Sequence, residues 1–310
     1  MTSFLGGFVK AAIRLYTFKF RRKQASVSRN IKIKNRKYDC PDRFVYNVGI
    51  FNGVKVESIC PKGYNGDKII LQFHGGGAVM DMSSLFYRKV AEKYADLTGL
   101  AVYSIDYEAG RDKVHPSLLY DCFNAYKGLL ESGIKPENIA AVGDSMGANL
   151  MLATCLKARD EGLPLPCALV SICGFLDNTA SGQSYFVNAH KDPMYALPFY
   201  MSKETYSVRL RRIPPYAGNT DLKDPYLSPE FGNFKDFPPV LIVCGAIEVD
   251  ESDSAMLFKA ANKDGVKVKY NKYSGMFHDF LYIAPFIKES KAAWKDIINF
   301  ILKCFEEKDI

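Results

Sequence analysis

Apolar positions along this chain follow two different periods. In residues 3–20, Phe4, Leu5, Phe8, Val9, Ala12, Ile13 and Tyr16 recur at helical spacing, which predicts a helix with one apolar face. From about residue 65 onward, short apolar runs rich in β-formers appear at Lys68–Phe73, Leu100–Ile105, Ile139–Val142, Ala168–Ile172 and Val240–Cys244, with Val266–Tyr270 as the last strand. Between them lie helical patterns at Phe86–Thr98, Leu118–Ser132, Ala148–Glu161 and Ser254–Asp264. Strand-helix alternation of this kind predicts a mostly parallel sheet with helices on both faces. Residues 176–236 break the pattern. They are rich in Tyr, Pro, Asn and Arg, and carry Arg209, Arg211 and Arg212 ahead of Pro214-Pro215. The reading is an insertion folded over the carboxyl edge of the sheet, the edge at which open parallel sheets bind ligands.

Composition changes this picture little. The 310 residues suffice for one large α/β domain or two smaller ones. No apolar run reaches the roughly 18–20 residues of a membrane span. The eight cysteines form no CxxC pair and no zinc-type spacing with histidine, and several sit in apolar runs as small buried hydrophobes. That favours a reducing cytoplasm over a disulfide framework.

Charge changes it more. The net charge of +7 is concentrated in residues 1–38, which hold eleven Lys and Arg and no Asp or Glu. The rest of the chain is mildly acidic. No nucleic-acid motif accompanies the basic arm. Lys10 and Arg14 interrupt its apolar stretch and Arg21-Arg22-Lys23 follow it, which is the wrong order for a signal peptide.

The sharpest chemical signal is Gly143-Asp144-Ser145-Met146-Gly147, between a predicted strand and a predicted helix. It is a G-x-S-x-G turn, in which a serine is held in strain above a sheet with a helix N-terminus pointing at it. The glycines are needed because a side chain two positions either side of the serine would clash. His74-Gly75-Gly76-Gly77 follows the strand Lys68–Phe73. Consecutive glycines leave N–H groups open to a substrate oxygen, so Gly75, Gly76 and Met146 are the candidate oxyanion donors. His74 then pins the loop.

A serine nucleophile needs a histidine base, and the chain has four histidines: His74, His115, His190 and His278. Only His190 and His278 come after the serine. His278, in a loop after the last strand, is the candidate. The acid should follow a strand between serine and histidine, which leaves Glu248 and its rival Asp250, with Asp253 as the cap of the helix starting at Ser254.

With these residues assembled, the chain resembles the hormone-sensitive-lipase-like family of α/β-hydrolase esterases. The resemblance runs from about residue 65 to residue 282. It rests on HGGG at 74–77, GDSMGANL at 143–150, DNTASGQSY at 177–185 with Asn188 and Asp192-Pro193, YAGNTDLKDPYLSP at 216–229, PPVLIVCGAIEVDESDS at 238–254 and GMFHDF at 275–280. The resemblance implies an α/β-hydrolase fold: an eight-stranded, mostly parallel sheet flanked by helices, with a helical cap. Residues 1–45 would form the N-terminal cap segment. Residues 46–310 would form the catalytic domain, with a cap insertion at about 176–220. Some bacterial members carry glutamate at the acid position, which favours Glu248.

The implied activity is a serine carboxylester hydrolase working through Ser145, His278 and Glu248 on a small-molecule ester. No cofactor and no metal is implied. Val79, Met80, Phe186 and Phe199 are expected to narrow an acyl pocket to short chains. The alternatives are an amidase or deacetylase with the same groups, or a non-catalytic ligand-binding member of the fold. Departures from the family pattern include Met146 and Ala148 in the serine turn, Asp106-Tyr107-Glu108-Ala109-Gly110 after a strand, and Met80, Asp81 and Met82 after HGGG. The arm has two readings as well. Its apolar face is buried as part of the cap, or residues 1–25 make a peripheral contact with anionic lipid.

Overall fold

The computed structural model describes residues 3, 5–14, 38–82, 85–195 and 215–306. After a helix at 5–14 (α1), the strands are β1 (Phe44–Phe51), β2 (Val54–Pro61), β3 (Ile69–Phe73), β4 (Ala101–Ile105), β5 (Ile139–Asp144), β6 (Ala168–Ile172), β7 (Val240–Gly245) and β8 (Val268–Tyr273). They form a single eight-stranded sheet of order β1-β2-β4-β3-β5-β6-β7-β8. The pairs β1–β2 and β2–β4 are antiparallel, and every pair from β4 to β8 is parallel.

The main helices are α2 (Leu85–Thr98), α3 (Ser117–Glu131), α4 (Met146–Asp160), α5 (Ser184–Val187), α6 (Glu251–Lys263), α7 (Phe280–Ile283) and α8 (Lys288–Glu306). Period-two alternation sorts the strand side chains onto two cores. Ile69, Leu71, Ile139, Ala141, Leu169, Val240 and Ile242 face a cluster with residues of α3, α4 and α6, including Leu118, Leu152 and Leu257. Ile70, Ala140, Val142, Val170, Leu241 and Val243 face the other way, onto residues of α2 and α8 such as Tyr94, Trp294 and Ile301. The central strands are buried on both faces, as their unbroken apolar runs predict.

The hairpin β1–β2 was not predicted. Its signal was present in the sequence, since Asn52-Gly53 occupies the turn with both residues at positive φ (45° and 83°). Helix α3 lies against this hairpin so closely that a Cβ on Gly128 would meet Phe51 backbone carbon at 2.9 Å.

Of the predicted helix the described residues cover 5–14, and only part of the apolar face they carry is buried. Val9 and Ile13 pack on the core, whereas Leu5 and Phe8 are 47% and 68% exposed. Polar contacts tie its ends: Ser3 donates through its N–H and its hydroxyl to Glu289 at 2.7 and 2.8 Å, and Arg14 donates to the carbonyl of His190. No helix among the described residues is long and apolar enough to cross a membrane.

Candidate active site

The turn between β5 and α4 is as tight as the glycine spacing requires. A Cβ on Gly143 would lie 2.5 Å from the carbonyl oxygen of Gly147, and one on Gly147 would lie 2.1 Å from that of Phe73. Ser145 is left at φ 52°, ψ −121°, immediately before α4, and is buried. A non-glycine residue held there stores strain of about 1–3 kcal/mol, which the surrounding packing must offset. Asn149, one turn along α4, donates to the carbonyls of Phe175 and Leu227 at 3.0 and 2.9 Å and so fixes the helix below the serine.

The glycine loop is fastened to this turn by a residue whose role the sequence did not reveal. The buried carboxyl of Asp144 accepts the N–H of Gly75 at 3.2 Å and the hydroxyl of Tyr87 at 3.0 Å. Burial and the nearby charge of Asp279 push its pKa well above the usual carboxylate range. His74 pins the loop from the other side. It is fully buried, stacks on Tyr107 with ring centroids 4.1 Å apart, and Nδ1 lies 2.8 Å from the carbonyl of Gly75. Burial lowers its pKa to about 4, so it stays uncharged. Tyr107 adds a hydrogen bond to the carbonyl of His74 at 2.7 Å.

His278 reaches the site on the loop after β8. Gly245 lets that loop close on β7, because a Cβ there would lie 2.4 Å from the carbonyl oxygen of Met276. The imidazole is 1% exposed. Its Nδ1 is hydrogen-bonded to Asp250, whose two carboxylate oxygens lie 3.2 and 3.1 Å away. Glu248 Oε2 is farther, at 3.7 Å, and neither of its oxygens has a hydrogen-bond partner among the described residues. Burial and the charge of Asp250 push the Glu248 pKa well above the usual carboxylate range. Burial alone would lower the pKa of His278, but the charges of Asp250 and Asp279 outweigh it and raise it well above the histidine norm. The other ring nitrogen, Nε2, makes no hydrogen bond among the described residues, with Asp279 Oδ2 at 3.3 Å.

A family model for the alpha/beta hydrolase fold matches residues 70–282. The chain is an α/β-hydrolase. It is similar to an acetyl-hydrolase of Streptomyces hygroscopicus, with 30% identity over 86% of this chain and 88% of the relative. Among solved structures it is similar to an esterase from the bacterial hormone-sensitive lipase family, with TM-score 0.81, 28% identity, and 98% and 99% of the two chains covered. It is also similar to EstE5 soaked with p-nitrophenyl butyrate, with TM-score 0.81, 26% identity, and 98% and 99% covered.

Several expectations change in the folded hydrolase. The sequence and the resemblance pointed to Glu248 as the partner of His278, but the hydrogen bond goes to Asp250, because the turn leading into α6 puts that carboxylate nearer Nδ1. The N–H of Gly75, an expected oxyanion donor, is bonded to Asp144. No such bond engages the N–H groups of Gly76, Gly77 or Met146 among the described residues. Helix α6 begins at Glu251, not Ser254, so Asp253 lies inside its first turn. Asp253 instead accepts the N–H groups of Leu176 and Asp177 and the hydroxyl of Tyr185, at 2.9, 3.1 and 2.9 Å, and so holds the start of the insertion.

The same insertion grips the acid loop. Asn188 donates to the carbonyl of Glu248 at 2.9 Å, Asp192 accepts the N–H of Val249 at 3.2 Å, and the Tyr195 ring lies edge-on to His278 at 4.8 Å. Of the expected acyl-pocket residues, Val79 and Phe186 are 38% and 37% exposed, Met80 is half-buried beside Gly76, and Phe199 lies outside the described residues. Among the described residues two groups bring three ligand-type atoms within 4.8 Å of one another: the buried Glu248, Asp250 and His278, and separately Asp177, the half-buried Glu230 and Asp253.

Proposed function

We propose that this hydrolase is a serine carboxylesterase for small, short-chain acyl esters, acting through an acyl-enzyme on Ser145. The observation that carries the reading is the strained backbone of Ser145 between two glycines that tolerate no side chain. Such strain in a buried serine at a helix N-terminus is the arrangement of an activated nucleophile. In the proposed cycle His278 Nε2 takes the proton of Ser145 Oγ as Oγ bonds to the ester carbonyl carbon. The oxyanion that forms is received by the N–H groups of Met146 and Gly76, with Gly77 next to them. His278 then returns the proton to the alkoxide oxygen of the leaving group as the C–O bond breaks, and water repeats the sequence on the acyl-enzyme. Asp250 orients the ring through Nδ1 and balances the imidazolium charge. His74, neutral and stacked on Tyr107, shapes the donor loop and moves no proton.

The preference for short chains is supported by the acetyl-hydrolase relative and by the butyrate ester used with EstE5. The docking of α1 through Val9, Ile13, Ser3 and Arg14 supports its place in a cap over the catalytic domain.

The test is hydrolysis of p-nitrophenyl acetate, butyrate and palmitate by the wild type and by Ser145→Ala. The wild type is expected to cleave the two short esters fastest, and Ser145→Ala to lose at least about a thousandfold in kcat while staying folded. Full turnover by Ser145→Ala would end the nucleophile assignment. Palmitate outrunning both short esters would end the size assignment alone.

A further inference from the structure

The imidazole of His278 has a carboxylate beside each of its ring nitrogens. On the Nδ1 side stands Asp250, with Glu248 behind it. On the Nε2 side stands Asp279, the next residue in the chain, with Oδ2 at 3.3 Å. Adjacent side chains ordinarily point apart. Asp279 escapes that rule because its backbone is left-handed, at φ 53° and ψ 28°, just before α7, and the turn folds the carboxylate back beside the ring it follows. Its other oxygen, Oδ1, is buried and has no hydrogen-bond partner among the described residues. An ordinary helix-capping role does not account for this, since the side chain makes no cap hydrogen bond.

We propose that Asp279 is a positioning and tuning residue for the base, holding the protonated imidazole of His278 from the Nε2 side. The proposal rests on the reading of His278 as general base and deepens it. The contact at 3.3 Å lacks hydrogen-bond geometry, so the Nε2 lone pair stays open to the serine proton when the ring is neutral. Once the ring is protonated, the Asp279 carboxylate stands beside the charged Nε2. Asp279 itself takes no proton in the step. The Ser145 proton goes to Nε2 and from there to the leaving group, and Asp279 acts by charge alone. Burial raises the Asp279 pKa to about 6, so its charge is present above that pH, where it favours imidazolium over imidazole and delays activity to a higher pH than an unperturbed histidine would allow.

The other groups facing the ring do not supply this effect on Nε2. Glu248 and Asp250 approach from the β7–α6 turn on the Nδ1 side, where burial and the charge of Asp250 push the Glu248 pKa up. Asp192 and Tyr195 come from the insertion. Tyr195 meets the ring by its edge, and Asp192 spends its oxygens on the N–H groups of Met194 and Val249. Asp144, from the serine turn, has its pKa pushed up by burial and by Asp279, and its oxygens are bonded to Gly75 and Tyr87.

The measurement is the pH dependence of kcat/KM for p-nitrophenyl butyrate, whose acid limb reports the base of the free enzyme. Asp279→Asn and Asp279→Gly are the variants, because both residues accept a left-handed backbone and preserve the turn. Their acid limbs are expected about 1–3 pH units below that of the wild type, the usual effect of losing one nearby opposite charge. Limbs that coincide with the wild type overturn the proposal, even if kcat has fallen, and leave the triad reading intact. A wild-type limb at or below the ordinary histidine value of about 6.5 overturns it without any variant. Retained activity in Ser145→Ala, run alongside, removes the reading on which it rests.

Discussion

Removing the charge from one acid at a time separates Asp250 from Glu248. The two carboxyls sit 3.1 and 3.7 Å from the same nitrogen, a gap too small to rank them by distance alone. Their charge ranks them. Asp250 holds the hydrogen bond, while burial and the charge of Asp250 push the Glu248 pKa up and so disfavour its charged form. A unit charge 3.1 Å from the imidazolium is worth about 5 kcal/mol at an effective dielectric constant of 20. At about 1.4 kcal/mol per decade, Asp250→Asn should lower kcat by roughly ten-thousandfold. The Asp→Asn change in a serine protease triad costs a similar factor.

Glu248→Gln exchanges a carboxyl that makes no hydrogen bond to His278 for an amide of the same size and should cost about tenfold or less. The assay is steady-state hydrolysis of p-nitrophenyl butyrate at a pH on each variant's plateau, with circular dichroism as the check on folding. The reverse ranking, with Glu248→Gln inactive and Asp250→Asn active, would refute the argument. It would mean that the ionised carboxylate in solution is Glu248, as the family resemblance alone suggests.

Two further outcomes follow from the same geometry. Deleting residues 1–14 removes the contacts of Ser3 and Arg14 with Glu289 and His190, and His190 lies in the segment that touches the acid loop. The deletion should therefore lower kcat/KM or change acyl preference in a lipid-free assay, by about tenfold. Unchanged kinetics together with lost binding to anionic liposomes would favour the membrane reading of this arm instead. Glu230→Gln should stabilise the protein at alkaline pH only. Burial, then the charge of Asp177, raises the Glu230 pKa from 4.5 to about 8, so between those values the folded state binds a proton that the unfolded state has released. Stability therefore falls as pH rises through that window. The Tm of Glu230→Gln should exceed that of the wild type at pH about 9 and not at pH about 4. Equal pH dependence of the two Tm values would count against it.

Much of this protein is determined by sequence-local physics. Period-two and period-3.6 patterns locate the central strands and the helices between them, because each element must bury one stripe or two faces. β6 is found at the predicted Ala168–Ile172, and β7 differs from its prediction only by gaining Gly245. The serine turn is legible because its geometry admits only glycine at Gly143 and Gly147, a constraint confined to a few consecutive residues. The histidine is legible because chain order leaves so few alternatives.

What the sequence could not decide is which of several nearby groups holds which partner. Glu248 and Asp250 are one residue apart on either side of Val249, and only the path of the turn into α6 puts Asp250 on Nδ1. Gly75 and Gly76 are equivalent as letters, yet Asp144, brought alongside by the pairing of β3 with β5, consumes the N–H of the first and not the second. Asp279 reads as an ordinary acid after a histidine until its left-handed backbone turns it toward Nε2. Elements follow from periodicity along the chain, whereas hydrogen-bond ownership in a buried site depends on differences of a fraction of an ångström between strands far apart in sequence, and tertiary packing alone fixes those.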